Sequence, residues 1–327
     1  MPPSLLHPPS QLSPSAALQL SQQAPNVLSE SLSSVSSSPF SLLSSPETPE
    51  LWIKYENLLL SCLRTGDERA ARQCLERLTT RFGATNERVM ALAGLVKEAD
   101  AQTPEDLDKV LKEYDAILSE DSANIPITKR RIALLRSMGR TPDAVSSLVQ
   151  FLSFSPTDGE GWAELADLYL TQGMYQQAIY ALEEVLVMAP NAWNVHARLG
   201  EMQYMAATAP GASVSYQKCM AEAVKRFSRS IELCDDYLRG YYGLKLVTSK
   251  LLKESAKPSK QSEEGEFALP DTRTIEKLNE LASAKLSEIV RRSTAREAGW
   301  RGYDELEVAA ARELLSEETS AHGAIER

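Results

Sequence analysis

From Leu51 onward, apolar residues recur every three to four positions. Trp162, Leu165, Ala166 and Tyr169 therefore share one side of a helix, and Ala178, Leu182 and Val185 share one side of the next. The same texture runs through Tyr55 and Leu58, through Ala223, Phe227 and Ile231, and through Ile275, Leu278, Ala282, Leu286 and Ile289. The pattern predicts an all-α chain of amphipathic helices. Before residue 48 the period is absent. Pro and Ser interrupt every short apolar run, as in SESLSSVSSSPFSLLSSPETPE, and residues 1–47 are expected to form a disordered tail. A second polar and irregular stretch, 254–272, is expected as a flexible excursion between the main helical region, 48–253, and closing helices in 273–327. The last of those helices is acidic and is expected from about Asp304 to Glu318.

The helices come in a repeat. Gly139 and Gly173, Ala144 and Ala178, Leu148 and Leu182, and Pro156 and Pro190 each stand 34 residues apart. That is the tetratricopeptide period. Gly173 permits a tight turn that a Cβ would crowd, Ala178 lets two helices approach closely, and Pro190 ends the second helix. Neither helix of such a pair buries its apolar face alone, so pairs stack, and the fold expected is a tetratricopeptide-repeat α-α superhelix. Weaker copies extend the register on both sides. Upstream, Trp52, Tyr55, Leu58, Gly66, Ala71, Leu75 and Leu78 keep the spacing, and a copy at about 91–124 keeps Tyr114 and Ile117 but has Ser122 where proline is usual. Downstream, His196, Leu199 and Gly200 open another copy, whose second helix is delayed by an insertion around AATAPGASVSY, and Tyr241 and Leu244 open a fifth pair.

Composition narrows the function. The formal net charge of the 327 residues is -10, and such a surface repels phosphate backbones, so no nucleic-acid partner is expected. The four cysteines, Cys62, Cys74, Cys219 and Cys234, form no CxxC pair and read as small core residues of a reducing compartment. With three histidines, two of them in the tails, no metal centre is expected. No run approaches the roughly 20 apolar residues of a membrane-spanning helix. The first Lys or Arg is Lys54, which argues against a cationic signal or transit peptide and for a chain kept in the cytosol.

No GxGxxG, GxxxxGK[ST], HExxH or GxSxG motif is present, and neither an enzymatic activity nor a cofactor is expected. Tetratricopeptide arrays bind through the inner face made by the first helix of each pair. In the most regular repeat that face carries Glu160, Ala163, Asp167 and Thr171, which is acidic and would repel the carboxylate terminus that a co-chaperone grips. The preceding repeat offers Lys129, Arg130 and Arg136 as a basic trio for an acidic partner segment, with Ala133 where a carboxylate clamp needs asparagine. Reversing the charges of Lys129 and Arg130 is expected to weaken partner capture without unfolding the chain. Trp300 and Tyr303, outside the repeat core, are further candidates for a partner anchor, as are Trp193, Tyr204, Tyr237 and Tyr241 within it.

The order of these blocks is more specific than the repeat. TKRRIALLRSMGR, then GEGWAELADLYLTQGMYQQAIYALEEVLVMAPN, LGEMQYMAAT and AVKRFSRSIELCDDYLRGYYGLKLV together resemble the subunit 2 family of the endoplasmic-reticulum membrane protein complex, over about residues 50–292. The resemblance implies a non-enzymatic scaffold, peripheral on the cytoplasmic face of the membrane. It would bind the cytosolic parts of membrane-embedded subunits in a hetero-oligomer that inserts tail-anchored and multi-pass proteins. A soluble co-chaperone and a scaffold of another multi-subunit machine are the alternatives that the repeat alone leaves open.

Overall fold

The computed structural model describes residues 3–9, 12–32, 49–210, 215–255, 269–297, 300 and 302–325. Among them are fifteen α-helices and no strand. The chain divides into two units, Met1–Ser147 and Leu148–Arg327.

The first unit begins where no element is expected. Helices α1 (Pro14–Ser21) and α2 (Ala24–Leu32) occupy part of the supposed tail. Ser13 caps α1 by accepting from the Ala16 amide at 3.2 Å, and Pro14 fills the first helical position, where its missing N–H costs nothing. Leu5, Leu20, Ala24 and Leu28 then join one core with α3 (Pro49–Thr65) and α4 (Glu68–Phe82), through Tyr55, Leu58, Leu59, Cys62, Ala71 and Cys74. Two side chains clasp the segment by its backbone. Asn57 donates to the Leu5 carbonyl at 2.7 Å, and Arg77 donates to the Leu28 carbonyl at 2.7 Å and to the Tyr55 hydroxyl at 2.8 Å. Residues 3–9 and 12–32 thus cap the first pair; 33–48 lie outside the described residues. Burial pushes the thiols of Cys62 and Cys74 up to about 12, the behaviour of core cysteines.

The next elements are α5 (Glu87–Asp100), α6 (Pro104–Glu120) and α7 (Ile125–Ser137). Here a partly buried charge cluster ties three helices. Glu98 on α5 accepts from the Tyr114 hydroxyl on α6 at 2.5 Å and is gripped in two-pronged fashion by the Arg130 guanidinium on α7. The side chains of Arg130 and Glu98 are only 24% and 13% exposed. Burial, then the Glu98 bond, raises the Tyr114 hydroxyl, which stays protonated. Arg130 is therefore committed to the fold, and reversing its charge would set two carboxylates against each other instead of altering a free surface.

Gly139, at φ +73°, turns the chain from α7 into α8 (Thr141–Phe154), within which the unit boundary falls. In the second unit, α9 (Gly159–Thr171) and α10 (Tyr175–Met188) form the most regular pair, joined through Gly173 at φ +71°. Ala178 and Ala181 are fully buried, as expected of close-approach positions. In α11 (Trp193–Thr208) and α12 (Tyr216–Leu233) the inserted residues lengthen the helices, which have 16 and 18 residues against 13 and 14 in α9 and α10. Residues 211–214, inside the inserted stretch, lie outside the described residues.

Helix α13 (Leu238–Ser255) pairs with α14 (Thr272–Thr294), and α15 (Glu305–Ile325) packs on α14. Most of the expected 254–272 excursion, 256–268, lies outside the described residues. A polar network registers α14 on α13: the buried Lys245 ammonium donates to Asn279 at 2.7 Å, and Asn279 donates to Thr248 at 2.9 Å and Ser249 at 2.8 Å. His196 is buried on α11 with Nε2 3.0 Å from the Pro190 carbonyl. Since that oxygen only accepts, Nε2 carries the proton.

Two outcomes test these clasps. Arg77→Ala removes charge-assisted bonds worth about 1.5–3 kcal/mol. Amide exchange in α1 and α2 should quicken roughly tenfold or more, with α9 and α10 unchanged; unaltered exchange in α1 and α2 would contradict the capping role. Glu98→Gln removes the carboxylate, leaves the Arg130 guanidinium without its counter-ion and should cost about 2 kcal/mol. Thermal unfolding should then start roughly 4–8 °C lower, and an unchanged melt would show that the cluster contributes little.

Candidate partner-binding groove

The first helices of two successive pairs, α11 and α13, meet directly, and glycine makes this possible. A Cβ on Gly243 would stand 2.1 Å from the Phe227 ring, and one on Gly200 would stand 2.9 Å from it. Phe227 of α12 is therefore wedged against two helix backbones that have no side chain at those points. Gly240 is similar, with its missing Cβ 2.9 Å from Ile231. Any larger residue would push the helices apart or force the ring from its rotamer.

The ring's outer edge opens into a recess of about 250 Å³, with Ala197, Tyr204, Tyr237, Tyr242, Gly243 and Leu246 among its lining residues. Two arginines stand at its margin. Arg198 donates to Glu201 at 2.7 Å and to Asp167 of α9 at 3.2 Å. Arg239 donates to Glu307 of α15 at 2.7 Å. Burial draws the Arg198 guanidinium down, but Glu201 and Asp167 outweigh it and leave it raised, while the bond to Glu307 raises Arg239. Burial likewise raises the hydroxyls of Tyr204 and Tyr237, so both remain neutral groups able to donate. The Lys250 ammonium lies 5.9 Å from the centre of the Tyr204 ring.

A recess of this volume has room for one large side chain, and tyrosines and arginines are among the groups that line it. Among the described residues no group of three or more His, Cys, Asp or Glu is placed to hold a metal ion.

The candidates named from sequence fall in different places. Lys129 is half-buried and Arg136 exposed on α7, while Arg130 is held by Glu98. In the second unit, the Tyr303 hydroxyl donates to the Asp236 carbonyl at 2.9 Å. The Trp300 ring stacks on Tyr303 at 6.3 Å and lies 4.7 Å from the Arg292 guanidinium. Trp300 and Tyr303 therefore clasp their own chain. Tyr204 and Tyr237 do line the recess, Tyr241 is buried, and Trp193 is 44% exposed away from it. Arg198, Arg239, Tyr242 and Leu246 escaped the sequence reading. The pair Gly240 and Gly243 inside an otherwise helical run was the available signal, since isolated helix glycines mark close approach.

The EMC2 TPR-like repeat domain family matches residues 86–218. The TPR repeat protein oca3 of Schizosaccharomyces pombe is 32% identical over 241 residues, covering 72% of this chain and 82% of that protein. ER membrane protein complex subunit 2-A of Xenopus laevis is 30% identical over 216 residues, covering 65% and 68%. Among solved structures, the C-terminal part of a TPR repeat-containing protein from Cytophaga hutchinsonii aligns with a TM-score of 0.47 at 14% identity, over 91% of this chain and 98% of that one. With its all-α tetratricopeptide repeats and these relatives, the chain belongs to the ER membrane protein complex subunit 2 family.

Proposed function

We propose that this chain is a non-enzymatic scaffold on the cytosolic face of the endoplasmic-reticulum membrane. In this reading it binds cytosolic segments of membrane-embedded subunits and so supports the insertion of tail-anchored and multi-pass proteins. The observation that carries the proposal is the α11–α13 groove: an aromatic-walled recess sized for one anchoring side chain, with arginines already oriented by acidic neighbours. Preorganised arginines lose little freedom when a partner binds, which is how few contacts can fix a subunit in place. Among the described residues no helix is long and apolar enough to cross a membrane, so attachment through partners is the economical route. The basic residues Lys129 and Arg136 and the Trp300–Tyr303 clasp remain secondary partner contacts in this proposal.

The test is recovery of membrane subunits with the tagged full chain, purified in gentle detergent from a membrane fraction. The wild-type chain should bring down several multi-span proteins in fixed stoichiometry. Tyr204→Ala combined with Leu246→Arg should reduce that recovery at least about tenfold, as for the loss of an anchor worth about 2 kcal/mol. The melt of the variant identifies any loss through misfolding. A wild-type chain recovered only with soluble chaperones would overturn the membrane reading; a folded double variant with full recovery would overturn the groove.

A further inference from the structure

The face of α3 and α4 that α1 and α2 cover is built like a binding site. Its two polar donors read main chain. Asn57 reaches the Leu5 carbonyl and Arg77 the Leu28 carbonyl, each at 2.7 Å, so they bracket the covering segment near its start and its end. Arg77 is also held in place from its own side of the contact. It donates to the Tyr55 hydroxyl at 2.8 Å, and its guanidinium lies 5.3 Å from the centre of the Tyr55 ring. Between the two grips, Leu5, Leu20, Ala24 and Leu28 are buried in the core of α3 and α4.

The segment has the chemistry of a ligand for that face. Helices α1 and α2 have 8 and 9 residues, below the roughly 12–15 that an isolated helix needs to persist in water. Each lies on the repeat pair, α1 on α3 and α2 on α4, so residues 3–32 acquire their fold on docking. The pair itself has other support, since α3 packs on α4 and α4 on α5. Residues 3–32 include no Lys, Arg or Asp and one Glu. Their docking therefore rests on apolar burial and hydrogen-bonded carbonyls, which salt hardly screens. Residues 33–48 join α2 to α3 and can reach at most roughly 55 Å, enough chain for the segment to leave its face while Pro49 stays in place.

We propose that the α3–α4 face is a docking site for an uncharged helical segment bearing leucines, and that residues 3–32 are its resident occupant. They form a strap that folds as it docks and opens before the repeats unfold. The partner that this face fits has the chemistry of the strap, with main-chain carbonyls for Asn57 and Arg77 at its ends and apolar side chains between. The site is distinct from the α11–α13 groove, and either can fail while the other stands.

The test measures the fluorescence anisotropy of a labelled synthetic peptide of residues 3–32 mixed with the full chain. In Leu20→Glu a carboxylate replaces a side chain with no exposed surface, so the resident strap is displaced. The peptide should bind this variant at least about a hundredfold more tightly than the wild type, because a face open in about one molecule in a hundred weakens binding by that factor. A peptide of the same composition in scrambled order should bind neither. No binding to the variant, equal binding to variant and wild type, or binding of the scrambled peptide would overturn the proposal. Loss of amide-exchange protection in α3 and α4 of the variant would overturn it too, by making the segment part of the core instead of its occupant.

Discussion

Everything in this chain depends on helix backbones approaching more closely than ordinary side chains allow. Each helix carries an apolar stripe too wide to be covered by its hairpin partner alone, so the stripe is closed by the next pair. The distance of closure is set by Ala and Gly at the crossing points. Ala178 and Ala181 in the regular pair have no exposed surface, and Gly94 lies where a Cβ would meet the Tyr114 hydroxyl at 2.2 Å. In the α11–α13 region the constraint is strictest, because Phe227 is wedged against Gly200 and Gly243. The groove is the outer consequence of that packing: a large ring fills the inner half of a space made by two glycines, and the outer half stays open.

Polar clasps act on top of this packing and choose among registers that apolar contact alone would tolerate. Glu98 with Tyr114 and Arg130 fixes three helices in the first unit, and Lys245 with Asn279 fixes α14 on α13 in the second. At the start of the chain Asn57 and Arg77 bind carbonyls, which selects a backbone position whatever the side chains there. A scaffold benefits from such fixation, since partners held at set positions need a support that does not rearrange when they bind.

The repeat was legible because its signals are local and periodic. Gly139 and Gly173 adopt the positive φ their position in the turn requires, and the alanines 34 residues apart are the buried ones. Helices α1 and α2 were not legible by periodicity, since each spans little more than two turns amid Ser and Pro. The Ser13–Pro14 start signal was there, but only the core of α3 and α4 gives it meaning. Arg130 read as a surface charge because its partner lies 32 residues away on another helix. The groove combines tyrosines that look like ordinary repeat residues with arginines that look like solvated ones. Their convergence is a property of helix packing and has no linear spacing.

The central claim, that α11 and α13 hold another subunit, is tested most directly by hydrogen–deuterium exchange on the free full chain and on the assembled complex. The account predicts slower exchange on assembly in the segments bearing Tyr204, Tyr237 and Tyr242. Unchanged exchange there, with protection confined to other helices, would contradict it.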